Sequence, residues 1–249
     1  MREADDLYAE DTRRTRSLLA HLGIHRNLES LHEHNERARI DAVISHLAAG
    51  REVALVSDAG TPGVSDPGQS LVAAVREAGF RVSPVVGPSA LAAALSVCGF
   101  DARNALFVGF LAPKGRALSE ASARSAAHDG GVGLFESPQR VGKTLHALAS
   151  AQPEREVVVL RELTKLHEEI RGGTLSEIAG YYAADVRGEL TVVVGPWTRV
   201  ETATDRSVRE ALARCRGAGL STRDAVSAVA AVLGRARREV YAMAEHEEC

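Results

Sequence analysis

Lysine is scarce in this chain. Three lysines stand against 27 arginines in 249 residues, which we read as coding bias rather than chemistry. Cysteine is as rare. Cys98, Cys215 and Cys249 have neither metal-ligand spacing nor a paired framework, so a disulfide-stapled scaffold and a cysteine-held metal are both excluded, and a reduced compartment is expected. No apolar run approaches the roughly 20 residues of a membrane helix. Met1-Arg2-Glu3-Ala4-Asp5-Asp6 lacks the apolar stretch of a signal peptide. The expectation is a soluble, cytoplasmic protein without membrane or metal. Several chemistries lack their motif: no Walker loop, no G-x-G-x-x-G, no H-E-x-x-H and no nucleophile elbow G-x-S-x-G occur. His32, His34, His146 and His167 are scattered. A net charge of −3 argues against wholesale coating of nucleic acid.

What is present is an alternation of strand and helix up to about residue 199. Asp6 to Ala9 reads as a short strand, and Asp11 can cap the helix that stops at Gly23. Asn35 can cap the next helix, where Ile40, Val43, Ile44 and Leu47 fall on one face. Glu52 to Ser57 reads as an apolar strand, 69–78 as a helix, 80–86 as a strand, 89–98 as a small-residue helix and 105–111 as the strand closing the first half. Ala112-Pro113-Lys114-Gly115 reads as a linker. The second half has strands near 132–137, 155–163 and 189–195 and a helix over 138–150. Thr174 with Glu177, and Ser221 with Asp224, read as capping boxes. The fold expected is α/β, with two α/β domains (1–111 and 112–199), a cleft between them and a helical extension over 200–249.

The richest segment is Ser57-Asp58-Ala59-Gly60-Thr61-Pro62-Gly63-Val64-Ser65-Asp66-Pro67-Gly68. It follows an apolar strand directly, where α/β folds bind ligands. Its glycines allow close backbone approach, its prolines stiffen it, and Asp58 and Asp66 offer acceptors for hydroxyls or an ammonium group. The opposing reading is an elaborate turn. Gly87-Pro88-Ser89-Ala90 again joins a strand to a helix start, where free N–H groups can hold polar atoms. Glu10-Asp11-Thr12-Arg13, Glu136-Ser137-Pro138-Gln139-Arg140 and Arg161 to Glu169 carry charge at strand ends, and a solvated charge run is the default for each. The window 206–238 holds eight arginines and two acids, a net +6 that fits a phosphate backbone or a solvated helix face.

Taken together and in order, these pieces resemble the ribosomal RNA small-subunit methyltransferase I family of the tetrapyrrole-methylase fold. The matching pieces include Glu10-Asp11-Thr12-Arg13, His34-Asn35-Glu36, Ser57 to Pro62, Ser65-Asp66-Pro67-Gly68, Gly87 to Ala90, Phe107 to Leu111, Phe135 to Arg140 and Arg161 to Lys165. They also include Thr222 to Val226 and Val240-Tyr241. The family pattern opens with a strand and a loop of the type T-P-I-G-N-L-x-D-I-T. This chain begins after that segment, so an exposed sheet edge is expected.

The resemblance implies S-adenosylmethionine as cofactor, the small ribosomal subunit as partner, 2′-O-methylation of a cytidine ribose in 16S rRNA at the decoding centre, and a homodimer. It implies a cofactor site in the cleft, formed by Asp58, Ala59, Gly60, Thr61, Ser89 and Ala90 from the first half and Ser137 and Thr191 from the second. Glu10, Asp11 or Lys165 is the candidate base for the ribose hydroxyl, and Arg13 and Arg140 the candidates for gripping RNA phosphate. Two readings compete: a methylase of tetrapyrrole rings on the same fold, and a shortened chain that only binds RNA.

Overall fold

The structure is a computed structural model that describes residues 1–184, 186–197 and 205–245. Two compact units divide the chain, Met1–Trp197 and Thr198–Cys249.

The first unit carries two sheets. Strand β1 (Asp6–Ala9) lies between β2 (Glu29–Ser30) and β3 (Val53–Val56), parallel to both. Helices α1 (Thr12–His21), α2 (Glu36–Ala48) and α3 (Gln69–Glu77) connect and cover them. The apolar face expected on α2 is buried here: Val43 is enclosed with Tyr8, Leu31, Leu71 and Val75, and Ile40, Ile44 and Leu47 pack around them. Asp11 caps α1 by accepting from the Arg13 N–H at 2.8 Å. Asn35 does not cap α2 with its side chain; its Oδ1 accepts from the His32 N–H at 2.8 Å and its amide donates to the Ser30 carbonyl. The competing donor and acceptor in the preceding turn win, as they commonly do for Asn side chains.

The second sheet has the order β4-β5-β8-β6-β7. Its strands are β4 (Leu106–Phe110), β5 (Val132–Glu136), β6 (Glu156–Arg161), β7 (Glu169–Thr174) and β8 (Leu190–Val194). Helices α5 (Gly115–Ala127), α6 (Val141–Ala149) and α7 (Leu175–Tyr181) belong with it. β4 runs parallel to β5, so the strand expected to close the first half lies in the second sheet, joined to β5 through α5. The residues read as a linker, 112–115, therefore lead into a crossover helix of one βαβ unit. The sequence pattern singles out neither β7 nor α5. β7 begins at the last residue of the Arg161–Glu169 charge run and carries Gly172 and Gly173, which hide its period of two.

β8 is buried along its whole length. Leu190, Val192 and Val194 pack on one face with Leu134, Leu145 and Ile178. The other face presents Val193 to α4 (Ala90–Val97), through Ala94 and Cys98. At the end of this sheet, directly before β6, lies Arg155, 1% exposed. Its guanidinium donates to the carbonyls of Ser125, Ala126, His128, Gly130 and Gly195 and to the Gln152 side chain.

The strand expected over 80–86 does not form. The segment has no assigned secondary structure, pairs with no described strand, and leaves Val85 100% exposed. A strand needs a ladder to satisfy its N–H and C=O groups, and no described strand offers one to this segment. β3 is an edge strand of the first sheet, with β1 on one side and no described strand on the other.

The second unit packs α8 (Asp205–Gly217), α9 (Thr222–Leu233) and α10 (Arg237–Glu245) around Val208, Leu212, Val226, Val229 and Val240. Ser221 caps α9, accepting from the Asp224 N–H, but the Asp224 carboxylate takes the Ser221 hydroxyl rather than completing a box. Thr174 and Glu177 do form the reciprocal box on α7. No described helix is long and apolar enough to cross a membrane, and the described residues hold no cluster of metal-ligating side chains.

Candidate active site

The carboxyl ends of the parallel strands in both sheets point to one place. β1 runs into Glu10 and Asp11, and β3 into Ser57 and Asp58. In the second sheet β4 ends at Phe110, β5 at Glu136 and β6 at Arg161. The antiparallel β8 starts there, its Leu190 opposite Glu136 and Arg161. Two observations join the groups. A side-chain carbon on Gly109 would lie 2.8 Å from Ser65 Oγ, so β4 abuts the loop 57–68. Asp66 also feels the charge of Glu10, Asp58 and Glu189.

The loop is built by backbone conformations that few residues tolerate. Gly60 and Gly68 have φ of 134° and 124°, and Ser65 sits at 62°. At Gly68 a side chain would strike Leu55 of β3 at 2.8 Å, so glycine is what allows the loop to fold back on its own strand. Ala59, Gly60 and Thr61 at its tip are exposed.

Glu10, Asp11 and Asp58 form one bonded cluster. The Asp58 N–H donates to Glu10 Oε2 at 3.1 Å, and Asp58 Oδ1 accepts from the Asp11 N–H at 3.1 Å. Arg14 Nε lies 3.6 Å from Asp58 Oδ2. The Arg13 guanidinium beside Asp11 lowers that carboxyl to about 2, so Asp11 is a weak proton acceptor at neutral pH. Arg13 itself is exposed and held by Asp11 at 2.9 Å.

Asp66 is different. Burial pushes its carboxyl up to about 6, against an opposing contribution from Ser57 and with the help of Glu10, Asp58 and Glu189. Its Oδ2 is buried and has no hydrogen-bond partner, and it is the atom that a side chain on Gly60 would meet at 3.0 Å. Buried carboxylate oxygens without partners are uncommon and mark this oxygen as a candidate acceptor for a ligand group. The sequence offers Asp66 as an acceptor but no reason to rank it above Asp58; both are half-buried, and what separates them is that Asp58 is partnered while Asp66 Oδ2 is not, a tertiary property.

Lys165 is held by Glu162 at 2.7 Å and Glu189 at 2.9 Å. Both carboxylates raise its pKa, which keeps it an ammonium ion and unsuits it to accept a proton. Glu162 and Thr164 have φ of 52° and 67°, and this strained turn brings Lys165 back over the start of β8. Ser89 caps α4 weakly, with Oγ 3.5 Å from the Ala92 N–H, and both Ser89 and Ala90 are exposed. Thr191 is buried on β8, on the face that meets α4. The Ser137 N–H donates to Glu136 Oε1.

Arg140 is anchored. Its guanidinium lies 2.6 Å from Glu136 Oε1, and the other oxygen of that carboxylate takes the Thr144 hydroxyl at 2.6 Å. Glu136 is 3% exposed. Glu136 ends β5 and Arg140 is the N-cap residue of α6, so the turn between strand and helix brings the pair together.

The fold belongs with known methylases. Residues 1–179 match the family model described as Tetrapyrrole (Corrin/Porphyrin) Methylases. A ribosomal RNA small subunit methyltransferase I of Neisseria meningitidis serogroup B is 39% identical over 247 residues, covering 98% of this chain and 85% of the relative. The chain belongs to this methyltransferase family. A Synechocystis member is 37% identical, covering 97% of this chain and 88% of its own. The crystal structure of the methyltransferase CobJ shares the fold, with a TM-score of 0.56 at 21% identity over 78% of this chain and 84% of that one.

The family's methyl donor is S-adenosylmethionine, and the chain is accordingly a methyltransferase dependent on it. The site fits such a donor. The loop tip at Ala59-Gly60-Thr61 offers backbone with little side-chain bulk, and the carboxylate cluster with the orphaned Asp66 Oδ2 offers acceptors for an ammonium group and ribose hydroxyls.

Proposed function

We propose that this chain methylates the 2′-hydroxyl of a cytidine ribose in the 16S rRNA of the small ribosomal subunit, at the decoding centre, and acts as a cytoplasmic homodimer. The name carried by relatives spanning nearly the whole chain supports the RNA substrate. The observation that carries the chemistry is the carboxylate cluster at the carboxyl ends of β1 and β3, with Asp66 raised to about 6. We assign Asp58, Ala59, Gly60, Thr61, Ser89, Ala90, Ser137 and Thr191, all in the first unit, to the cofactor.

S-adenosylmethionine supplies an electrophilic methyl carbon on sulfur. The protein's part is to align a ribose oxygen with that carbon and to exclude competing geometries. A carboxylate next to the hydroxyl accepts its proton as the new O–C bond forms. Among the candidates Glu10, Asp11 and Lys165, Glu10 suits the role, with the raised carboxyl of Asp66 beside it. Asp11 is committed to Arg13, and Lys165 orders Glu162 and Glu189. Arg13 and Arg140 are the phosphate contacts.

An RNA substrate is favoured over a tetrapyrrole by the second unit. Arg206 and Arg235 are paired with acids there. Arg209, Arg223, Arg237 and Arg238 are exposed, and their side chains have no ion pair or hydrogen bond to a described residue. Unspent arginines are what a phosphate backbone needs. Calorimetry with S-adenosylmethionine, followed by methyl transfer to small subunits, tests the proposal. Cofactor binding with transfer supports it; no cofactor binding leaves the chain an RNA binder.

A further inference from the structure

β4 contains one residue too many for its partner. Phe107 pairs with Gly133 and Phe110 with Phe135, so three steps on β4 match two on β5. Strict alternation would put Phe107 and Phe110 on opposite faces. The bulge, with Gly109 at φ 64°, returns Phe110 to the face of Phe107 and Phe135. The result is an aromatic row along the sheet edge, Phe107 to Phe135 at 5.0 Å and Phe135 to Phe110 at 6.0 Å between ring centroids. Phe107 and Phe135 are half-buried, but Phe110 is 50% exposed. The Arg140 guanidinium lies over its ring at 5.8 Å, fixed from behind by buried Glu136. The preceding residue, Gly109, abuts Ser65 of the loop 57–68. An exposed aromatic ring, a pinned arginine and the methyl-donor loop thus adjoin one another.

We propose that Phe110, extended by Arg140, is the platform on which an unpaired nucleobase of the RNA substrate stacks, so that its ribose is presented to the site. The inference rests on the RNA reading of the previous section. Sequence-specific RNA recognition works through unstacked bases lying on aromatic rings and arginine planes. The cation beside the ring also matches an adjacent phosphate. Burying only half of a large ring beside a held guanidinium gives little to the fold and leaves a π-face open to a ligand.

The test uses the full chain with small ribosomal subunits, and compares Phe110→Leu with Phe110→Tyr. Leucine keeps the apolar bulk but loses the π-face. The platform predicts a KM for subunits about tenfold higher in Phe110→Leu, a kcat within about twofold, an unchanged Kd for S-adenosylmethionine, and recovery in Phe110→Tyr. An unchanged KM overturns it. So does a KM change that accompanies a shift in sedimentation, because the ring would then serve contact between two copies of the chain. Phe110→Trp gives a second readout that needs no methylation, since Trp197 is the chain's single tryptophan. Oligocytidylate should quench the fluorescence that this substitution adds; no quenching overturns the platform. If the wild type methylates no subunits while oligocytidylate still quenches Phe110→Trp, the substrate assignment fails and the platform stands.

Discussion

Glu10 and Asp58 are tied across the neighbouring strands β1 and β3, the carboxylate of the first accepting the backbone N–H of the second at 3.1 Å. Asp58 answers by accepting from the N–H next to Glu10, that of Asp11. Two strand ends are thereby locked in register where the loop 57–68 leaves the sheet. Each of these bonds is made to a charged group, which makes it stronger than a neutral one.

Asp58→Ala removes the acceptor for Asp11 and the partner of Arg14. We expect the Kd for S-adenosylmethionine to rise at least tenfold, with a stability loss of about 1–2 kcal/mol. Asp58→Asn keeps an acceptor oxygen and should recover most of the stability. Calorimetry and thermal melts read the two effects separately.

Asp66 links the site to pH. Its folded pKa is raised, to about 6 from 3.8. A raised carboxyl pKa means stability that is present below the unfolded value and lost as pH rises through about 6. Asp66→Asn should therefore melt higher than wild type at pH 8, by about 1 kcal/mol after allowance for solvent screening, and this gain should vanish near pH 4. If the ionised form is needed for methyl transfer, wild-type kcat/KM falls below about pH 6, and the variant loses that limb of the profile.

Much of this is legible in the sequence, but unevenly. The α2 stripe, the Asp11 cap, the Thr174–Glu177 box and the continuous Val192-Val193-Val194 strand are local patterns, and they appear where expected. The 80–86 segment misleads because Val82, Val85 and Val86 have strand propensity, while a strand exists only where another pairs with it. The placement of β4 escapes a sequence reading because nothing local says which sheet a strand joins. At the site, the loop and its acidic residues stand out in the sequence. The rank of Asp66, the clasp of Glu162 and Glu189 on Lys165, and the exposure of Phe110, whose direction depends on a bulge, do not.

Arg155 gives a control far from the chemistry. Its donors serve five backbone carbonyls and a glutamine at the end of the second sheet where β5 and β6 begin and β8 ends. Arg155→Met strands those acceptors and should cost about 3 kcal/mol. Arg155→Lys should not rescue it, since an ammonium cannot reproduce the fork. Chemical denaturation checks both variants. Below its melting point Arg155→Met should bind cofactor like wild type.

Glu136 holds Arg140 from within the sheet. Glu136→Gln keeps the shape but weakens the anchor, with a stability cost of about 2 kcal/mol. The KM for small subunits should rise and cofactor affinity stay unchanged. A double-mutant cycle with Arg140→Ala should show strong non-additivity in KM, as expected when one residue acts by positioning the other.

The most direct test is to incubate the protein with S-adenosylmethionine and unmethylated small ribosomal subunits, digest the 16S rRNA to nucleosides and analyse them by mass spectrometry. The account predicts up to one 2′-O-methylcytidine per subunit, formed with wild type and lost in Asp58→Ala. Cofactor binding without any ribose-methylated cytidine, or a methyl group found on a base instead, would contradict it.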